Sequence, residues 1–100
     1  MDFHNDKGMA LNEIRDLIGN RKVVVGTKQL RKALISGTVY RVFLARNADP
    51  AMTESLETLC KQNHVLFAWV RSMTDLGRAC GIEVGAAAAA ALNSILPAKP

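Results

Sequence analysis

The run Val39 to Ala45, VYRVFLA, constrains the fold more than any other part of the chain. β-Branched and aromatic residues favour a strand. A strand that is apolar without alternation is buried on both faces, as in sheets covered by helices on each side. The flanking segments supply that cover. Lys22 to Val25 reads as a strand ending at Gly26. Thr27 to Ser36 then reads as an amphipathic helix, with Leu30, Ala33 and Leu34 on one face and Gly37 as its stop. After a turn at Asn47 to Pro50, proline opens a helix to about Gln62 that turns Met52, Leu56 and Leu59 inward. Val65 to Val70 is a third strand. Ser72 to Cys80 is a short helix, with Ser72 as N-cap and Asp75 three residues on. At the start of the chain, Leu11, Ile14, Leu17 and Ile18 fall at helical spacing between about Met9 and Ile18.

The alanine run Ala86 to Ala91 is the ambiguous segment. Alanine is the best helix former. The run is nevertheless short, is bounded by Gly85 and Asn93, and follows three strands that alternate with helices. It is assigned as a fourth strand whose small side chains let helices pack close. The alternation predicts a single domain over residues 1–100, an α/β/α sandwich.

The charge distribution points outward. Lys and Arg number 13 against 9 acids, a net charge of +4. Between Arg21 and Arg46 there are seven basic residues (Arg21, Lys22, Lys28, Arg31, Lys32, Arg41, Arg46) and no Asp or Glu. Solvated faces normally intersperse both signs. Lys28, Arg31 and Lys32 also crowd the start of a helix, where the backbone dipole is already positive and an anion is favoured. Three and four residues apart, they are expected to share a face. Backbone N–H groups at that helix start attract phosphate, and the cations beside them add salt-dependent affinity for a nucleic-acid backbone. Lys28 and Gln29 are also placed to reach base edges.

Enzyme chemistry finds little support. The chain has neither a G-x-x-x-x-G-K-[ST] loop nor G-x-G-x-x-G. Cys60 and His64 are four residues apart, but two ligands do not make a zinc site. The two cysteines, Cys60 and Cys80, are expected to be reduced and buried. No metal, cofactor or catalytic residue is expected. MDFHNDKGM is polar and mixed in charge, unlike a secretory signal, and VGAAAAAAL is too short to span a bilayer. The cytoplasm is the expected location.

Three ordered blocks, VVVGTKQLRKALISG, LARNADP and SMTDLGRACGIEVGAAA, resemble the signature blocks of the L7Ae/L30e ribosomal protein family. The likeness is greatest to its small bacterial members that bind kink-turn RNA, and it spans roughly Arg21 to Leu92. It implies a compact three-layer α/β/α sandwich with a mixed four-stranded sheet. It also implies recognition of the sheared G·A pairs and bulge of a kink-turn. By position, Gly26, Thr27, Lys28 and Gln29 match the family motif that reads the G·A pairs, and Lys32 matches a lysine one turn later. Ile82, Glu83 and Val84 match the loop that covers the bulged nucleotides. Lys28 and Gln29 replace the Asn and Glu usual in archaeal members, which shifts weight toward phosphate contacts. Arg46 stands where other members often have Glu or Lys. The glycines that bracket Ile82 and Val84 suggest an exposed loop.

The expected protein is therefore a non-catalytic monomer that binds structured RNA containing a kink-turn, in ribosomal RNA, a riboswitch or a messenger leader. No DNA or membrane partner is expected. The alternative is a protein-interaction module on the same fold.

Overall fold

The computed structural model describes residues 8–95; the rest of the polar N-terminal stretch, residues 1–7, lies outside them. Helices and strands alternate along the chain as α1 (Leu11–Ile18), β1 (Arg21–Val25), α2 (Thr27–Ser36), β2 (Val39–Ala45), α3 (Pro50–Gln62), β3 (Phe67–Val70), α4 (Met73–Ala79) and β4 (Ala88–Ile95). The strands form one sheet in the order β1-β4-β2-β3. β2 pairs parallel to β3, while β4 lies antiparallel between β1 and β2. The sheet is therefore mixed, as the resemblance implied.

The helix ends follow local chemistry. The Asp49 carboxylate accepts from the Ala51 N–H at 3.0 Å, and Pro50 occupies the first turn of α3. The Ser72 hydroxyl accepts from the Asp75 N–H at 3.1 Å and caps α4. α1 and β3 begin later than the sequence reading places them. α1 begins at Leu11 because Met9 is extended: its N–H donates to the Trp69 carbonyl at 2.7 Å and its carbonyl accepts from Arg71 at 3.1 Å. This one-residue bridge runs along the outer edge of β3. β3 begins at Phe67 because the Val65 N–H is used to close α3, donating to the Cys60 carbonyl at 2.9 Å.

The alanine run is a strand, two residues later and longer than expected. Ala88, Ala89, Ala90 and Ala91 are fully buried. Period-two alternation divides the core. Ala88 and Ala90 pack with Val42, Leu44, Leu30, Leu34, Leu56 and Cys60, under α2 and α3. Ala89 and Ala91 pack with Phe43, Ala45, Ile14, Ile18 and Leu76, under α1 and α4. Tertiary position overrides helix propensity here: the segment is hydrogen-bonded on both sides, to β1 and β2, and that pairing outweighs the intrinsic preference of alanine. Ala90→Leu should overpack the α2/α3 side and destabilise the fold by about 1–3 kcal/mol, measured by denaturant unfolding. An unchanged midpoint would contradict this packing.

Cys60 is buried as expected but Cys80 is only half-buried; both are free and lie on opposite sides of the sheet, so they cannot pair. Burial, and then the Glu57 carboxylate, push the Cys60 thiol up to about 11; burial does the same for Cys80, to about 11. The fold thus favours the neutral thiols. Their contribution to stability is complete below the ordinary thiol value of 9.0 and is lost as pH rises through about 11. A titration of thiolate ultraviolet absorbance should place the native midpoint near 11 and the denaturant-unfolded one near 9.0. Coincident midpoints would mean that the thiols are solvated.

Candidate nucleic-acid interface

β1, β2 and β3 run parallel, so their C-terminal ends lie at one edge of the sheet, and antiparallel β4 starts there. Four connections meet at this edge, a common location for ligand sites in α/β sheets. Backbone bonds tie them together. Gly26 N–H donates to Ala88 O at 3.0 Å, Ala45 N–H to Ala87 O at 2.9 Å, and Arg46 N–H to Val70 O at 2.9 Å. The Asn47 side-chain oxygen accepts from the Met73 N–H at 2.9 Å, fixing the β2–α3 turn to the start of α4. Gly26 to Gln29, Arg46 and the loop of Ile82, Glu83 and Val84, far apart in sequence, are thus delivered to one end of the molecule.

Gly26 forms the turn between β1 and α2 with φ 101° and ψ 150°, a conformation that L side chains rarely adopt. A Cβ built there would meet nothing within 4 Å. The glycine is therefore set by the turn and not by packing, and the space over it is open. As N-cap of α2 it offers no side chain to the helix, and the first turn carries no acid. The N–H groups of Thr27, Lys28 and Gln29 precede the first possible intrahelical bond, which Leu30 makes to Gly26 O at 3.0 Å. Thr27 is half-buried; Lys28, Gln29 and Lys32 are exposed. The result is a positive helix terminus flanked by two exposed cations.

Arg31 does not join them. Its Nη2 donates to the Ser55 hydroxyl on α3 at 2.8 Å, so the side chain turns into the groove between α2 and α3. The expectation that Lys28, Arg31 and Lys32 share a face is corrected: backbone spacing brings them near, but a hydrogen-bond partner on α3 directs Arg31 sideways. Arg46 is exposed, with its guanidinium carbon 5.4 Å from the Trp69 ring centroid, within cation–π range. Trp69 packs against the core, and its ring also supports Arg46.

The expected exposed pair in the GIEVG loop is only half present. Val84 is 70% exposed and Glu83 is exposed, but Ile82 is half-buried against the α1/α4 core. Its N–H donates to the Gly77 carbonyl at 3.0 Å, which draws it under the loop. Gly77 is the residue that sequence reasoning missed. It is buried in α4, and a Cβ there would collide with the Val84 carbonyl oxygen. Its available signal was a glycine inside a helical pattern, which usually marks close packing when it is not a stop. Asn47 was missed as well, because its role depends on the distant Met73 N–H.

The sequence model of the ribosomal protein L7Ae/L30e/S12e/Gadd45 family matches residues 10–94. The chain belongs to this family. The L7Ae/L30e match reaches further toward the N-terminus than the motif blocks, taking in α1. A protein named RNA-binding protein from Bacillus pumilus (strain SAFR-032) is 47% identical over 70 residues, 70% of this chain and 85% of that one. The large ribosomal subunit protein eL8 of Nitrosopumilus maritimus is 33% identical over 85 residues, 84% of this chain and 66% of its own. Among solved structures, the Giardia lamblia 15.5kD RNA binding protein superposes with a TM-score of 0.73 at 25% identity, covering 84% of this chain and 71% of the other. The α/β sandwich is thus that of L7Ae-like proteins, a family of ribosomal and RNA-binding proteins and not of enzymes.

Gly26 and Gly77 serve different needs and should fail differently. Gly77→Ala should lower the melting temperature, corresponding to about 1–3 kcal/mol, because α4 and the 81–85 loop must separate. Gly26→Ala has space for its methyl and should cost only the backbone strain of the turn, on the order of 1–3 kcal/mol. Proton–nitrogen spectra distinguish them. The first variant should shift Ile82 to Gly85, the second Thr27 to Gln29; the reverse pattern would refute these assignments.

Proposed function

We propose that the protein binds structured RNA and that its target element is a kink-turn. The observation that carries this reading is the start of α2. An uncapped helix N-terminus with no first-turn acid opens onto unobstructed space over Gly26, beside the exposed ammonium groups of Lys28 and Lys32. That arrangement suits phosphate. Gathering Arg46 and the loop bearing Val84 at the same end adds a further cation and an apolar contact within reach of one ligand. Relatives named as RNA-binding proteins and as a ribosomal protein support RNA as the ligand.

A kinked duplex brings backbone phosphates close together. The cationic helix start offsets their repulsion, Lys28 and Gln29 face the G·A pairs, and Val84 lies over an extruded base, where apolar contact excludes water. Ile82 holds the loop from beneath. Because the protein favours the kinked form, binding and RNA folding are linked. Among the described residues no helix is long and apolar enough to cross a membrane, and the proposed location is the cytoplasm.

Lys28→Ala and Lys32→Ala should each weaken kink-turn binding by about 1–3 kcal/mol. The slope of log affinity against log salt should flatten by about one unit for each phosphate no longer neutralised. Melting temperature should hold or rise slightly, since a cation leaves the positive helix end. Parent-like affinity in both variants at low and high salt would overturn the reading. An RNA whose G·A pairs are replaced by Watson–Crick pairs tests the finer claim: equal affinity for it would leave RNA binding without kink-turn specificity.

A further inference from the structure

Besides Arg31, three of the seven cations in the acid-free window, Arg21, Lys22 and Arg41, take no part in the interface above. They lie at the other end of the sheet, where β1 and β2 begin. Arg21 reaches from β1 across β4. Its Nη1 lies 3.5 Å from the Leu92 carbonyl and 3.3 Å from that of Asn93, donating to both. Its guanidinium carbon sits 3.6 Å from the centroid of the Tyr40 ring on β2. Arg41 approaches the same ring at 5.8 Å. The row Arg21–Tyr40–Arg41 thus crosses three adjacent strands, with Tyr40 38% exposed.

Two observations separate this row from an ordinary solvated patch. First, Arg21 is fixed. A stacked ring and two carbonyls hold one edge of the guanidinium and leave its remaining donors committed to nothing in those contacts, so a ligand need not immobilise it. Second, Arg41 is held without an acceptor for its Nε, which is buried and has no hydrogen-bond partner. A merely structural arginine would normally satisfy that donor. The placement keeps a second positive charge at the Tyr40 ring.

We propose that this row is a second RNA-contact site, taking the phosphate backbone of a duplex stem that leaves the α2 interface and runs along the β1 edge. This rests on the RNA-binding reading above. β1 is an outermost strand, and its exposed Lys22 follows Arg21 on the way to the α2 end. Arg21 and Val25 are four strand steps apart, about 13 Å, a distance that consecutive phosphates of one stem can cover. Arginine suits the task because its planar fork pairs with two phosphate oxygens. Asp16 lines the same groove as Arg21 and Tyr40. It borders the groove at the end of α1 and limits the contact to the Arg21–Arg41 side.

The test uses two RNAs that share one kink-turn, one with both stems trimmed and one with a single stem extended by a helical turn. The parent should bind the extended RNA about tenfold more tightly, with a salt slope steeper by about one to two units. Arg21→Gln combined with Arg41→Gln should abolish that advantage and leave trimmed-RNA affinity unchanged. Lys22→Gln, an exposed site that should not disturb folding, should remove about threefold of it. Tyr40→Leu, which keeps every charge but frees Arg21, should weaken extended-RNA binding alone.

Equal affinity of the parent for the two RNAs overturns the proposal. So does a double variant that keeps the advantage, or one that loses both RNAs in parallel. Polyglutamate that competes as well as a duplex of equal charge would assign the row to an acidic protein and overturn it too. Lys28→Ala serves as the reference: if it spares both RNAs, the α2 interface itself fails, whereas an unaffected extended RNA in the Arg21 and Arg41 variant sinks the second site alone.

Discussion

The structure depends on β4 being inserted between β1 and β2. Its four buried alanines, Ala88 to Ala91, complete hydrogen bonding on both sides and let a helix layer approach each face. The first of them also carries the edge of the candidate interface. Ala88 O accepts from Gly26 N–H, so the strand that closes the core also seats the turn that opens α2. Ala87 O accepts from Ala45 N–H in the same way, holding the end of β2 beside it. Larger side chains in β4 would push the helix layers outward and move both turns. This edge is knit by backbone hydrogen bonds, and the exposed lysines extend from it.

Two glycines show how one residue type answers different constraints at the same edge. Gly26 has open space around it and is fixed by its dihedral angles. Gly77 is closely covered and is fixed by the approach of the Val84 carbonyl. The first leaves room for a ligand, and the second draws a loop down until one aliphatic side chain faces inward and the other outward. The division of labour between Ile82 and Val84 follows from that approach.

The strand–helix alternation, the sandwich and the charge asymmetry were legible in the sequence because each is a local pattern: apolar runs, helical spacing, glycine stops. The alanine strand was legible only through its position, since propensity pointed the other way. The contacts between elements were not legible. Arg31 looks like a partner of Lys28 until Ser55 of α3 is in place. Ile82 looks like a twin of Val84 until Gly77 is beneath it. Met9 looks helical until β3 lies alongside. In each case the deciding partner is distant in the chain, and period or spacing carries no information about it.

The short bridge at Met9 has a consequence for how copies of this protein meet. A mixed four-stranded sheet has two outer margins, and an unguarded margin is a template for edge-to-edge pairing and aggregation. On the β3 side, Met9 occupies backbone groups of Trp69 and Arg71 that a neighbouring chain would otherwise seek. On the β1 side no segment among the described residues covers the strand in this way, and the exposed Lys22 sets like charge against like charge between any two copies. One margin is protected by geometry and the other by repulsion. The second protection weakens when those charges are neutralised, so the colloidal behaviour of the protein should differ between salt-rich solution and dilute buffer even though its fold does not.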